Sequence, residues 1–303
     1  MTASWGARIL WLAVGLGGVW SVGDAVDGRT AAVRTTISIG GWVVWGAGVV
    51  ALVVPSTLAL TVMRMISALA CGAAALSWAA GAPATSGATF LACTLICALL
   101  VGGADFGHRC VQASAYGDEQ RFLLRPPAAF IPPIVIAGLA WVAAVLAAPL
   151  LLAAGPWIIG AAVTVVAALL TWVLLPRFHA LSQRWLVLVP VGIVVHDRVV
   201  LAETLMVLKS DVAVIDLALA GTEAADFTGP AAGHAVEIGL RSMTTAILAP
   251  SKKAPRGYST ARAIVHRRPE SPWCRSPSQP LNTVLTIGAG YRAGYRAMPP
   301  PST

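Results

Sequence analysis

The chain has 303 residues, 57% of them hydrophobic and 11% charged, with a formal net charge of +8 and a mean hydropathy of +0.76. Soluble domains carry about a quarter of their residues as Asp, Glu, Lys and Arg. The composition therefore excludes a disordered protein, a secreted disulfide scaffold and an ordinary soluble enzyme, and leaves an integral membrane protein.

The first apolar stretch, Ile9 to Gly23, follows Arg8. Fifteen residues reach only about 22 Å as a helix. Trp5, a snorkelling Arg8 and Ala25-Val26 extend the stretch to a crossing over residues 5–26. A signal peptide is the competing reading. No convincing small-x-small cleavage site follows Trp20-Ser21-Val22, so a retained span is preferred.

Three stretches free of Asp, Glu, Lys and Arg come next, at 35–63, 65–104 and 126–176. A hydrocarbon core of about 30 Å requires roughly 20 helical residues. The first stretch fits one crossing and the others a pair each. Turn-forming residues divide the pairs, Gly81 to Gly87 in one and Pro149 to Pro156 in the other. The predicted spans are 37–54, 64–80, 88–104, 132–150 and 157–175, six with the first.

Orientation follows from the basic residues of the loops. With the N-terminus inside, Arg8, Arg64, Arg109, Arg121, Arg125, Arg177 and Arg184 lie on the inner side. Arg29 and Arg34 lie outside, beside Asp24 and Asp27. This predicts a multi-pass protein of the cell inner (plasma) membrane with both termini cytoplasmic. Arg64, Asp24 and Asp105 fall at predicted helix ends and read as interface anchors. No acid or histidine stands near a midplane, which argues against proton-coupled transport.

The inner loop 105–131 holds the candidate interaction residues Tyr116, Asp118, Glu119, Arg121 and Arg125. The preferred reading is a solvated loop with arginine anchors, in which Pro126-Pro127 starts the next helix. In the functional reading, Asp118 and Glu119 pair with Arg121 or Arg125 and hold a docking surface for the segment that follows. An acid/base pair is the least favoured of the three.

Beyond Pro176 the pattern changes to short β-branched runs. Trp185–Val189 and Ile193–His196 read as a hairpin around Pro190-Val191-Gly192. Further predicted strands are Val199–Leu201, Met206–Lys209, Val212–Leu217, Ala235–Leu240 and Thr244–Leu248. The predicted fold is thus a membrane α-helical bundle of about six transmembrane helices followed by a small cytoplasmic antiparallel β domain. Its parts are residues 1–176, the β-rich 177–251 and a tail, 252–303. From Lys252 to Arg296 the tail holds nine basic residues and one acid, Glu270, with many Pro and Ser, so no packed core is expected of it.

The run Arg184-Trp-Leu-Val-Leu-Val-Pro-Val-Gly-Ile-Val-Val-His-Asp197, with Leu208-Lys-Ser-Asp-Val212, resembles the opening of bacterial pleckstrin-homology-like domains. The chain over about residues 1–250, including Ser114 to Arg121 and Arg125-Pro126-Pro127, is similar to multi-span membrane proteins of actinobacteria, a resemblance that implies no activity. The first resemblance implies a pleckstrin-homology-like β domain. Phosphoinositide binding in that fold relies on basic residues around the first turn, and Pro190-Val191-Gly192 has none.

Catalytic and metal motifs are missing from the sequence. Cys93 and Cys97 share a helix face without an adjacent His or acid, and the five histidines form no His-x3-His pair. Gly15-Leu16-Gly17-Gly18 lies within the first span and points to close helix approach rather than phosphate binding. No catalytic residue, cofactor or metal is expected, and the chain does not read as an enzyme. The expected partners are the lipid bilayer and a protein, or a second copy, met by the cytoplasmic domain. Nucleic acid is not expected, and no small-molecule ligand is indicated. The preferred role is a membrane-anchored interaction or scaffold module. A carrier or channel-like path for an uncharged solute is the alternative.

Overall fold

The computed structural model describes residues 2–218, 224–228, 235–241, 245–247, 262–264 and 281–286. Six of its helices are long and apolar enough to cross a bilayer: α1 (Thr2–Ala25), α2 (Ala31–Val53), α3 (Thr57–Ala79), α4 (Ala84–Gly102), α6 (Ile131–Ala154) and α7 (Trp157–Ser182). A short α5 (Ala104–Gln112) follows α4. Large apolar side chains such as Ile39, Val43, Leu99, Ile136 and Leu139 point outward, as a helix surface does when its solvent is lipid.

Capping moves two helix starts ahead of the predicted spans. Thr30 accepts from Val33 N and begins α2 at Ala31, which brings Arg34 into the first turn. Ser56 accepts from Ala59 N at 3.0 Å and begins α3 at Thr57. Arg64 is therefore about two turns inside α3 and not the interface anchor expected, and its Nε is buried without a hydrogen-bond partner. Pro126-Pro127 does not start a helix either. A 3-10 turn, Ala128–Phe130, intervenes, and α6 begins at Ile131 with Pro132 and Pro133 in its first turn. At the far end, α7 continues through Pro176 to Ser182.

Half of the α3 span is buried, against 17–28% for the other spans, so α3 is the hub of the bundle. One side of it packs Leu60, Met63, Ala70 and Ala74 with Trp11 of α1, Phe90 and Cys97 of α4, and Phe106 and Cys110 of α5. Met65 and Leu69 pack with Trp141 and Val142 of α6 and Leu174 of α7.

Helix α2 is held to α1 by a reciprocal pair of tryptophans. Trp11 Nε1 donates to the carbonyl of Trp45 at 2.9 Å, and Trp45 Nε1 donates to that of Trp11 at 3.0 Å. Each indole lies where the other helix has a glycine. A Cβ on Gly48 would stand 2.3 Å from the Trp11 ring, and one on Gly15 would stand 2.4 Å from the Trp45 ring. Beyond this clasp α1 and α2 run on to the turn that joins them, at the end of the bundle opposite the β strands. A cleft of about 1070 Å³ opens there among α1, α2, α3 and α6.

The first sheet has the order β1-β2-β3-β4 and is antiparallel throughout: β1 (Gln120–Leu123), β2 (Trp185–Val189), β3 (Gly192–His196) and β4 (Leu205–Leu208). Gly192 opens β3 rather than belonging to the turn. Its glycine is required by crowding, since a Cβ there would lie 2.1 Å from the carbonyl oxygen of Val207 on β4. The predicted strand Val199–Leu201 is instead a turn and an isolated bridge residue, capped by Asp197, whose Oδ1 accepts from Val199 N and Val200 N.

A second sheet, of order β5-β7-β10-β6, contains β5 (Val212–Leu217), β6 (Ala225–Asp226), β7 (Ala235–Leu240) and β10 (Leu281–Thr286). Strand β6 runs parallel to β10 and the other pairs are antiparallel. Strands β8 (Thr245–Ile247) and β9 (Arg262–Ile264) pair with each other. Thus β9 and β10 fall in the tail, where no packed structure was expected, and the rest of the tail lies outside the described residues. Between the sheets, Leu124, Leu186, Ile193, Val195 and Val207 pack with Phe227, Ile238 and Leu240.

Candidate functional site: the joint between bundle and sheet

Loop 105–131 is not the solvated connection expected. Its first part is α5, amphipathic, with Phe106, Gly107, Cys110 and Val111 buried on one face. Gly107 allows close packing: a Cβ there would stand 2.4 Å from Leu123 and 3.5 Å from Arg64 Nη2. Burial pushes the thiol of Cys110, on the same face, up to about 11, so it stays protonated at neutral pH.

The second part, β1, adds an edge strand to the sheet formed by β2 and β3. Successive strand residues point to opposite faces. Leu123 therefore packs into the bundle core while Leu124 packs into the core between the sheets. Two adjacent leucines thereby join the two halves of the molecule.

Polar contacts fix this strand at both ends. Gln112, the last residue of α5, donates from Nε2 to the carbonyl of Glu119 at 2.9 Å and accepts at Oε1 from Arg121 N at 2.8 Å. His108 Nδ1 accepts from Leu123 N at 3.0 Å. That bond requires a neutral ring at Nδ1, and burial holds the His108 pKa below its ordinary value despite the nearby Asp105.

Of the five residues singled out in the sequence, the structure brings Tyr116, Glu119 and Arg121 together. Arg121 Nη2 lies 2.5 Å from Glu119 Oε1, which also accepts from the backbone N–H of Tyr116. The Tyr116 N–H bond first, and the Arg121 pairing with it, hold the Glu119 carboxyl below the usual range. The Arg121 guanidinium also stands 5.6 Å from the ring centroid of Trp185, and that ring stacks on His196 at 5.0 Å. Tyr116 and Asp118 are exposed. Arg125 enters through its backbone carbonyl, which accepts from Arg184 Nη1 at 2.6 Å.

That last contact belongs to the most buried polar group of the joint. Arg184, counted in the sequence among the inner-side basic residues, pairs with Asp197, and both side chains are 1% exposed. Nε donates to Oδ1 and Oδ2 at 2.9 Å each, and Nη2 donates to Oδ2 at 2.7 Å. Leu124 N donates to the Arg184 carbonyl at 2.9 Å. Arg184 thus ties the end of β1, the start of β2 and the turn after β3. The signal for this pair was in the predicted hairpin. Trp185 faces His196 in the register, and one step further out Arg184 faces Asp197.

Among the described residues, no group of three His, Cys, Asp or Glu side chains could hold a metal ion. The arrangement at the joint holds two structural units in a fixed relation. Comparison of the chain with family models, with curated proteins and with solved structures gave no match.

Proposed function

We propose that the protein is a membrane-anchored interaction module that presents its β domain, on the cytoplasmic side, at a fixed orientation to the bilayer. One observation carries this reading: β1, drawn from the loop between two spans, is built into the sheet, so the sheet does not hang on a linker. The pleckstrin-homology-like reading of the domain rests on its strand–turn–strand opening, and the basic residues of a lipid-reading turn are missing from it.

The surface offered to a partner is apolar and lies along the sheet edges. Strand β4 ends the first sheet and β5 ends the second. Met206, Leu208, Val214 and Leu217 are 44–63% exposed along them. Exposed apolar side chains beside a free strand edge suit addition of a further strand from another chain or from a second copy.

Crosslinking in native membranes followed by affinity purification tests the reading. The wild type should yield a specific partner or a dimer, and Met206→Glu with Leu208→Glu should abolish it. A wild type that captures neither refutes the module. Orientation is tested separately: a reporter active only in the cytoplasm should work when fused at Ser251 and fail at Ser86. The cleft favours a second reading, a carrier for an uncharged solute. It ranks below the first because the Trp11–Trp45 clasp lies across the cleft floor.

A further inference from the structure

The cleft among α1, α2, α3 and α6 has the dimensions and chemistry of a lipid site. Its lining runs from Arg29 and Arg34, at the mouth, down to Trp45 on α2, and from Ala25 down to Trp11 on α1. The eleven helical steps from Arg34 to Trp45 cover about 16 Å, close to half of a hydrocarbon core of about 30 Å. The cleft therefore opens at one membrane face and ends near the midplane, the depth of a single leaflet. Its walls below the mouth are mostly apolar, including Leu69 and Val145, with the hydroxyls of Thr35, Thr36, Ser38 and Ser77 the polar exceptions.

The mouth differs from the walls. Arg29 and Arg34 are exposed and line it, and neither takes part in the ion pairs seen among the described residues. The two acids of the same turn do not line the cleft. Asp24 Oδ2 accepts from Ser86 Oγ at 3.2 Å, and Asp27 Oδ1 accepts from Gly28 N at 3.1 Å. The N-terminus of the 23-residue α2 adds a partial positive charge at the same level. An apolar slot one leaflet deep beneath two arginines matches a molecule with long chains and an anionic head.

We propose that the cleft binds one phospholipid with an anionic headgroup, drawn from the leaflet opposite the β domain. Its chains fill the slot above the Trp11–Trp45 clasp, and its phosphate lies between Arg29 and Arg34. The proposal is independent of the interaction surface on the sheet, so either can fail alone.

Native mass spectrometry of the purified full chain in detergent, titrated with dioleoyl phosphatidylglycerol or dioleoyl phosphatidylcholine, tests it. The wild type should retain one phosphatidylglycerol in preference to phosphatidylcholine. Basic residues at a membrane surface contribute roughly fivefold each to binding of anionic lipid. The double variant Arg29→Gln, Arg34→Gln should accordingly lose about 25-fold in phosphatidylglycerol affinity and fall to the phosphatidylcholine level. Gly41→Leu fills the slot at a position where a Cβ meets nothing within 4 Å, and it should remove the retained lipid of either kind. Equal binding of the two lipids by the wild type, or undiminished lipid in Gly41→Leu, overturns the proposal.

Discussion

At the scale of single residues, the group that decides most is the Arg184–Asp197 pair. Removing both charges from water is expensive, and their mutual attraction offsets that only when geometry is good and the remaining donors and acceptors are satisfied. Here the Arg125 carbonyl takes Nη1, and the N–H groups of Val199 and Val200 bind the carboxylate. Asp197→Ala leaves a buried guanidinium without its counter-charge, and breaking such a pair costs about 3–5 kcal/mol. The expected outcome is a clear fall in the melting temperature of the detergent-solubilised protein. The apolar double variant Arg184→Met, Asp197→Leu should recover most of that loss, since no charge is then left buried. A single variant as stable as wild type sinks the assignment. The loop charge count places Arg184 on the inner side and says nothing of its partner, because a count contains no register. Arg64 was misplaced for a related reason: the charge-free stretch began after it, while the helix cap lay at Ser56, eight residues earlier.

At the scale of elements, the Trp11–Trp45 clasp fixes α1 against α2 at the floor of the cleft. Indole N–H groups in lipid have no water to bond, so each finds a backbone carbonyl across the interface. The approach depends on two glycines. Gly48→Ala would push a methyl into the Trp11 ring, and Gly15→Ala one into the Trp45 ring. Overpacking of this kind costs about 1–3 kcal/mol. Each variant should melt earlier than wild type, and Gly46→Ala, where a Cβ meets nothing within 4 Å, should be neutral or slightly stabilising. Equal effects at the three positions would show that the clasp is not the constraint. The spans themselves were legible, because hydrophobic length and Gly/Pro breaks act locally. The hairpin of β2 and β3 was legible for the same reason. Strand β1 was not: Gln120-Arg-Phe-Leu123 has four residues, and it is a strand only because β2, sixty residues away, supplies its hydrogen bonds. The interface role of Gly15 was foreseen, but its partner Trp45 was not.

At the scale of the whole molecule, bundle and sheet meet through two histidines whose pKa values differ between the folded and unfolded chain, so their union should depend on pH. His108 accepts the Leu123 N–H, and His196 stacks on Trp185 beside Arg121. Both pKa values are held below the ordinary His value, His108 by burial against the opposing pull of Asp105. For His196 the causes are burial first, then Arg198, with Asp197 opposing and Arg121 adding to the fall. A depressed histidine pKa means the unfolded chain binds the proton more readily than the folded one. The contribution is therefore whole above the unfolded pKa of about 6.5 and is lost as pH falls from there toward the folded values. Glu119 acts in a lower window. Its pKa lies below the ordinary carboxylate value, so its share is lost only as the medium becomes more acid than about pH 4.3. Between pH 7.5 and 5.5 the histidines should dominate, and the melting temperature in detergent should fall across that interval. His108→Gln, whose amide oxygen can accept the Leu123 N–H without titrating, should flatten the dependence while leaving stability at pH 7.5 nearly unchanged. A flat profile in the wild type, or an equal slope in His108→Gln, would place the coupling of bundle to sheet elsewhere than at this joint.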